Sequence, residues 1–237
     1  MNIMIHKSES RGHANHGWLD TFHTFSFGMY HEPSRIHFGM LRVLNDDFVI
    51  GGAGFGKHNH DNMEIISIPL QGSLAHSDST GNEGVISTGD VQIMSAGSGI
   101  QHAEYNASET ELVNFLQLWI IPKEKNIQPR YDQLSFTKEQ LRNQLRPIVS
   151  ATEKEGTLWI NQDAELYLGE FDASIEISHD IKSANHGIYI FVIEGSLTIG
   201  DITLNKRDGI GIYDTDSVLA TVHKHSKLLL IEVPIKL

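Results

Sequence analysis

The stretch IPLQGSLAH (Ile68–His76) has a counterpart, FVIEGSLTI (Phe191–Ile199), in the second half of the chain. Each reads as an apolar strand, then Gly-Ser-Leu, then another strand, the pattern of a corner in a β protein. Each is followed by a further turn, Gly89-Asp90 in one half and Asp208-Gly209 in the other, leading into one more apolar strand. A repeat on this scale predicts two similar β domains in tandem.

Working outward, short β-branched or aromatic runs punctuated by Gly, Asn and Asp fill both halves. HFGMLRVLNDDFVI, GDVQIMSAG and LVNFLQLWII belong to the first, and AELYLGEF, DGIGIYD and KLLLIEVPI to the second. Closed or sandwiched antiparallel sheets fit this spacing better than parallel βαβ units. Only TKEQLRNQL (Thr137–Leu145) reads as a helix, with Thr137 and Gln140 spaced as a capping box. The polar PKEKNIQPRYDQ, with its two prolines, precedes it. These features predict a domain over 1–128, a linker with a short helix over 129–155, and a second domain over 156–237.

At 237 residues, two domains of ordinary size are accommodated. Acids exceed bases 30 to 18, giving a formal charge of −12, which argues against nucleic acid and anionic membranes as partners. There is no cysteine, so thiolate chemistry is excluded and any metal must be held by nitrogen and oxygen. The N-terminus lacks the order of a signal peptide and no apolar run reaches spanning length, so a cytoplasmic location is expected. Of 14 histidines, ten lie at or before His102, which points to chemistry in the first half.

That half contains GFGKHNHDNMEI (Gly54–Ile65), read here as a turn over Gly54–Lys57 feeding a strand. Side chains at i and i+2 share a strand face, so His58 and His60 project together. About forty residues on, AGSGIQHAEYN offers His102 and Glu104 at the same spacing. Two such pairs converging inside a barrel make a centre suited to Fe(II), Ni, Co, Cu or Mn, with positions left open for ligand. Parity also puts Glu64 on the face of the first histidine pair, so spacing does not decide between it and Glu104. His13, His16 and His23, near Trp18 and Phe25, are expected to hold a crossing strand. His223 and His225 have no upstream partner pair, and Lys224 and Lys227 flank them, so a solvated edge is expected and the second domain reads as metal-free.

Residues Gly52 to His58, His60 and Glu64 resemble the first cupin motif, and Gly89 through Gly97 to His102 and Asn106 the second, although Ser95 stands where cupins usually have proline. The closer resemblance is to the pirin family, which are bicupins. It rests on RGHANHGWLDTFHTFSF, LRVLNDD, GFGKHNHDNMEI, QIMSAGSGIQHAEYN and QLWI, in family order. The second half resembles the family only in general pattern. The resemblance implies an all-β fold of two jelly-roll-like cupin barrels, with His58, His60, His102 and Glu104 as metal ligands. Glu64 would then be an outer partner orienting an imidazole. Fe(II) is the first candidate, with Ni, Co, Cu, Mn or Zn as alternatives.

Within the family the match is nearest to bacterial members with quercetinase activity. That implies cleavage of a flavonol such as quercetin with O2 and release of carbon monoxide, with Glu104 accepting the substrate's proton. Phe38, Met40, Phe55, Met94 and Phe115 are the candidates for the walls of the substrate pocket. Two alternatives share these ligands: a non-enzymatic redox-sensing regulator acting through a protein partner, and another cupin reaction on a small acid or enediol.

Overall fold

A computed structural model describes residues 1–236. The chain begins with β1 (Asn2–His6), β2 (Gly12–Asn15), β3 (Leu19–His23) and β4 (Leu41–Val49). Then come β5 (Gly54–His60), β6 (Glu64–Gln71), β7 (Ser73–Asp78) and β8 (Glu83–Ser87). The first half closes with β9 (Asp90–Ser95), β10 (Ile100–Asn106), β11 (Val113–Ile120) and β12 (Arg130–Ser135). After the helix α1 (Lys138–Leu141) come β13 (Arg146–Ser150), β14 (Leu158–Trp159), β15 (Glu165–Phe171) and β16 (Ile175–Asp180). β17 (His186–Glu194), β18 (Ser196–Ile199), β19 (Ile202–Asn205), β20 (Gly209–Tyr213), β21 (Ser217–Val222) and β22 (Ser226–Pro234) complete the chain.

The fold is an all-β bicupin. In each half a seven-stranded sheet packs on a four-stranded one. The first pair has the orders β12-β9-β6-β11-β4-β3-β2 and β5-β10-β7-β8; the second has β1-β20-β17-β22-β15-β13-β14 and β16-β21-β18-β19. The Gly-Ser-Leu repeat marks the corner where the chain leaves the larger sheet for the smaller. Gly72 and Gly195 turn it with φ of 75° and 76°, a region costly for any residue with a Cβ. At Gly195 a Cβ would also sit 2.3 Å from Ser226 Oγ.

One edge strand crosses between the halves. β1 pairs with β20, the place that β12 takes beside β9 in the first sheet. The segment expected as a linker thus carries β12 of one sheet and β13 of the other. Its helix keeps the capping box, with Gln140 N donating to Thr137 Oγ1 and Thr137 N to Gln140 Oε1. It stops four residues short of the expected end. Asn143 turns left-handed (φ 56°), with its N–H bonded to Glu170 O, and Pro147 disfavours helix beyond.

The larger sheets are buried on both faces, which is why their strands read as unbroken apolar runs. Along β17, Ile188, Ile190 and Val192 fill the second barrel, while Tyr189, Phe191 and Ile193 meet the first barrel across a shared core. Likewise Leu116 and Leu118 of β11 face that shared core, whereas Phe115 packs inside the first barrel.

His6 of β1 is buried there, its Nδ1 2.9 Å from the Tyr189 hydroxyl. Burial, and then the Arg35 charge, lower its pKa to about 4. The unfolded chain therefore binds more protons below pH ~6.5, so the His6 contribution is complete above that pH and is lost as pH falls towards about 4. The loss amounts to about 3 kcal/mol at most. His6→Gln is expected to flatten the acid limb of urea-unfolding stability between these pH values; an acid limb parallel to wild type would refute the assignment.

Candidate metal centre

β5 and β10 pair antiparallel with His102 opposite His58 and Ile100 opposite His60. The three imidazoles meet with ring centroids 4.4 to 4.9 Å apart. One nitrogen from each lies within 4.8 Å of the others. Beyond His102 a register shift reorients the strand, and Glu104 comes opposite Phe55. Gly54 is required here, because a Cβ would sit 2.4 Å from Glu104 O and from Tyr105 Cα. The expected turn over Gly54–Lys57 is instead the first half of β5, since pairing to β10 extends it.

Electrostatics make the cluster a base for a cation. His102 is 1% exposed and neither of its ring nitrogens has a hydrogen-bond partner among the described residues. Burial, then the neighbouring His58 and His60, lower its pKa to about 3. His60 falls to about 4, again through burial and then His58. These rings are neutral near pH 7, with lone pairs free. His58 Nδ1 donates to Gly56 O at 2.7 Å, which leaves Nε2 as the acceptor nitrogen. Buried imidazoles with unpaired nitrogens are costly unless something binds them, so the donor set fits a divalent metal of borderline softness.

Glu104 is 1% exposed and both its oxygens are engaged. Oε1 accepts from Ser67 Oγ at 3.0 Å and Oε2 from Gln117 Nε2 at 2.7 Å. Trp119 Nε1 donates to Gln117 Oε1 at 3.3 Å and so steadies the amide. Sequence reasoning missed His76, which β7 brings opposite Glu104. His76 stacks on Tyr131 with centroids 4.6 Å apart, and its Nε2 lies 3.1 Å from Asp78 Oδ2. His76, His102 and Glu104 form a second group whose ligand atoms lie within 4.8 Å of one another. The one signal was His76 at i and Asp78 at i+2; their nearness to Glu104 depends on strand pairing.

Among the described residues Glu64 bonds no imidazole, contrary to the expectation that it would orient one. Its Oε2 accepts from Ser95 Oγ at 2.8 Å and from Asn161 N at 3.2 Å. The parity argument fails because β5 ends at His60 and Asn62, with φ 47°, turns the chain before Glu64 opens β6. Ser95, where cupins usually carry proline, supplies the shorter of these two bonds to Glu64. Burial raises the Glu64 pKa, opposed by those two hydrogen bonds.

His58 and His60 lie on the wall of a cavity of about 770 Å³ whose apolar surface includes Trp18, Phe27, Phe55 and Trp119. Of the five expected wall residues only Phe55 is there. Phe38 packs on Tyr189 and Met40 joins it in the shared core between the barrels. Met94 packs with Ile65 and Ile100, and Phe115 with Val49 and Leu74. Instead the segment around β2 and β3, which extends the larger sheet beyond β4, brings His13, His16 and His23 onto the cavity. His13 Nε2 meets Asp20 Oδ1 at 2.6 Å.

In the second barrel the corresponding strands contribute Ile175, Ile177, Val218, Ala220 and Val222 to an apolar core. His223 Nε2 bonds Thr198 Oγ1 at 2.8 Å, and His225 sits in an exposed turn with φ 64°. Among the described residues no helix is long and apolar enough to cross a membrane.

Comparison with known proteins agrees with this architecture. Residues 4–120 match the Pirin family model, and residues 147–233 the model for the quercetinase C-terminal cupin domain. The quercetin 2,3-dioxygenase of Escherichia coli (strain K12) is 41% identical over 98% of this chain and 99% of its own. A putative quercetin 2,3-dioxygenase of Pseudomonas aeruginosa is 38% identical over 94% of this chain and 95% of its own. The crystal structure of the bacterial pirin YhhW from Escherichia coli in complex with nickel(II) superposes with a TM-score of 0.93 at 39% identity, covering 98% of this chain and 99% of that one.

Proposed function

The chain belongs to the pirin family, and from that premise we propose that it is a metal-dependent dioxygenase cleaving a flavonol such as quercetin with O2 and releasing carbon monoxide. The observation that carries this reading is the convergence of the His58, His60 and His102 imidazoles beside an aromatic-walled cavity. In this reading His58, His60, His102 and Glu104 are the ligands. Fe(II) is the first candidate, and Ni, Co, Cu, Mn or Zn suit the same donors. Bound there, the metal supplies Lewis acidity that favours the ionised form of a flavonol hydroxyl.

The protein's own groups do the rest. Gly56 O fixes the His58 ring so that Nε2 faces the cluster. Ser67 and Gln117 grip the Glu104 carboxylate. Glu104 Oε2, released from Gln117, is the proposed acceptor of the hydroxyl proton. Trp18, Phe27, Phe55 and Trp119 cover the planar rings and exclude water. Both atoms of O2 remain in the ring-opened product, and one ring carbon leaves as carbon monoxide.

Protein purified without chelator is expected to carry about one divalent metal per chain, or to take it up on reconstitution. With quercetin it is expected to consume O2 and evolve carbon monoxide. Metal-loaded protein that leaves quercetin and O2 untouched would overturn the reading.

A further inference from the structure

The cavity has an end where several buried polar atoms find no partner among the described residues. Cross-strand pairing sets His23 opposite Asn45, Asn45 opposite Gln117, and Gln117 opposite Ser67. These four side chains form one row across β3, β4, β11 and β6, on the inner face of the sheet. At one end of the row Gln117 and Ser67 hold Glu104. At the other, His23 and Asn45 line the cavity while only 5% and 3% exposed. Neither His23 ring nitrogen, nor Asn45 Oδ1, has a hydrogen-bond partner among the described residues. Buried polar groups are seldom left so, and a bound molecule is one way to complete them.

The distance suits a ring system. Gln117 and His23 stand two strands apart, roughly 10 Å. Aromatic rings line the way: His60 to Trp119 at 5.0 Å, Trp119 to Phe27 at 5.3 Å, and Phe27 to His23 at 5.3 Å. A planar ligand held at the imidazole cluster would lie along these rings and end at His23. Beside this pair Asp47, bonded by Thr21 Oγ1, also lines the cavity. Burial, and then the nearby His16, His13 and Arg11, lower the His23 pKa to about 4, so its neutral ring offers one donor and one acceptor.

We propose that His23 and Asn45 form a hydroxyl-recognition subsite that grips the far end of a polyhydroxylated aromatic ligand whose near end lies at the imidazole cluster. This rests on the flavonol reading of the site and names what would set its preference. His23 is here a specificity residue, without a part in the proton transfer.

The test compares quercetin with 3-hydroxyflavone, which keeps the reacting hydroxyl and lacks all others. Binding is read from quenching of tryptophan fluorescence, since Trp18 and Trp119 line the cavity; turnover is read as oxygen uptake by the metal-loaded protein. Wild type is expected to favour quercetin in binding and in kcat/KM. His23→Phe is expected to cut that preference about tenfold, through quercetin alone. His23→Gln, which can still donate and accept, should restore part of it. If His23→Phe folds poorly, Asn45→Leu reads the same ratio.

Wild type indifferent to the extra hydroxyls, or variants that keep its preference, would overturn the subsite even if quercetin is cleaved. Hydroxyl-dependent binding that disappears in His23→Phe, without oxygen uptake by any form, would uphold the subsite and remove the dioxygenase reading. Failure of both flavonols to bind would remove both.

Discussion

His102→Ala is expected to abolish metal retention and to lower quercetin-dependent oxygen uptake at least about a thousandfold, because a ligand set acts as a unit. His102 stands at the centre of the cluster, with centroids 4.4 Å from His58, 4.9 Å from His60 and 5.5 Å from His76. The fold should tolerate the change, since His102 makes no side-chain hydrogen bond among the described residues that the substitution would break. The contrasting variant is Glu64→Gln, an isostere on a carboxyl bonded to Ser95 and the Asn161 backbone. It is expected to keep the full metal content. Metal analysis and oxygen uptake on both variants decide the matter. Metal lost on Glu64→Gln but kept on His102→Ala would reverse the ligand assignment.

Arg207→Met is expected to destabilise the whole molecule while leaving metal content intact. Asp46 is 2% exposed and faces the second barrel, whereas its neighbour Asp47 faces the cavity, as strand alternation requires. Arg207 Nε donates to Asp46 Oδ2 at 2.8 Å, Arg11 Nη1 to the same oxygen at 3.3 Å, and Asn114 Nδ2 to Oδ1 at 2.8 Å. Arg207 Nη2 also donates to Asn114 Oδ1 at 3.2 Å. Removing one cation from a buried carboxylate costs about 3 kcal/mol, because the remaining charge keeps its desolvation penalty. For a chain of this length that is a fall in Tm of roughly 10 °C. Adding Asp46→Asn should recover part of the loss, by removing the charge left short of a partner. A thermal melt of Arg207→Met within a degree or so of wild type would show that the shared core alone holds the barrels together.

Much of the first half of the site was legible. Histidines at i and i+2, glycines where the backbone must pass closely, and a second i, i+2 pair forty residues on are local patterns. The physics behind them, alternation along a strand and the cost of a Cβ at positive φ, acts over a few residues. The same holds for the Gly72 and Gly195 corners and for the Thr137–Gln140 capping box.

Other features depended on which strands meet. Glu64 shared the parity of His58 and His60, yet the left-handed Asn62 between them turned it towards Asn161, 97 residues away. His76 gave no sign until β7 paired with β10 and set it opposite Glu104. Phe38, Met40, Met94 and Phe115 had the right chemistry for a wall and the wrong position, because composition does not say which buried surface a strand faces.

By itself, then, the sequence determined a tandem all-β chain and the residues of the imidazole cluster, since periodicity and turn chemistry are written within single strands. The tertiary structure alone decided that β1 completes the second sheet, that the segment around His13 and His23 walls the cavity, and that Glu104 is held by Ser67 and Gln117. Those outcomes come from long-range register. A strand's inward face is fixed by its neighbours in the sheet, which lie tens of residues away along the chain.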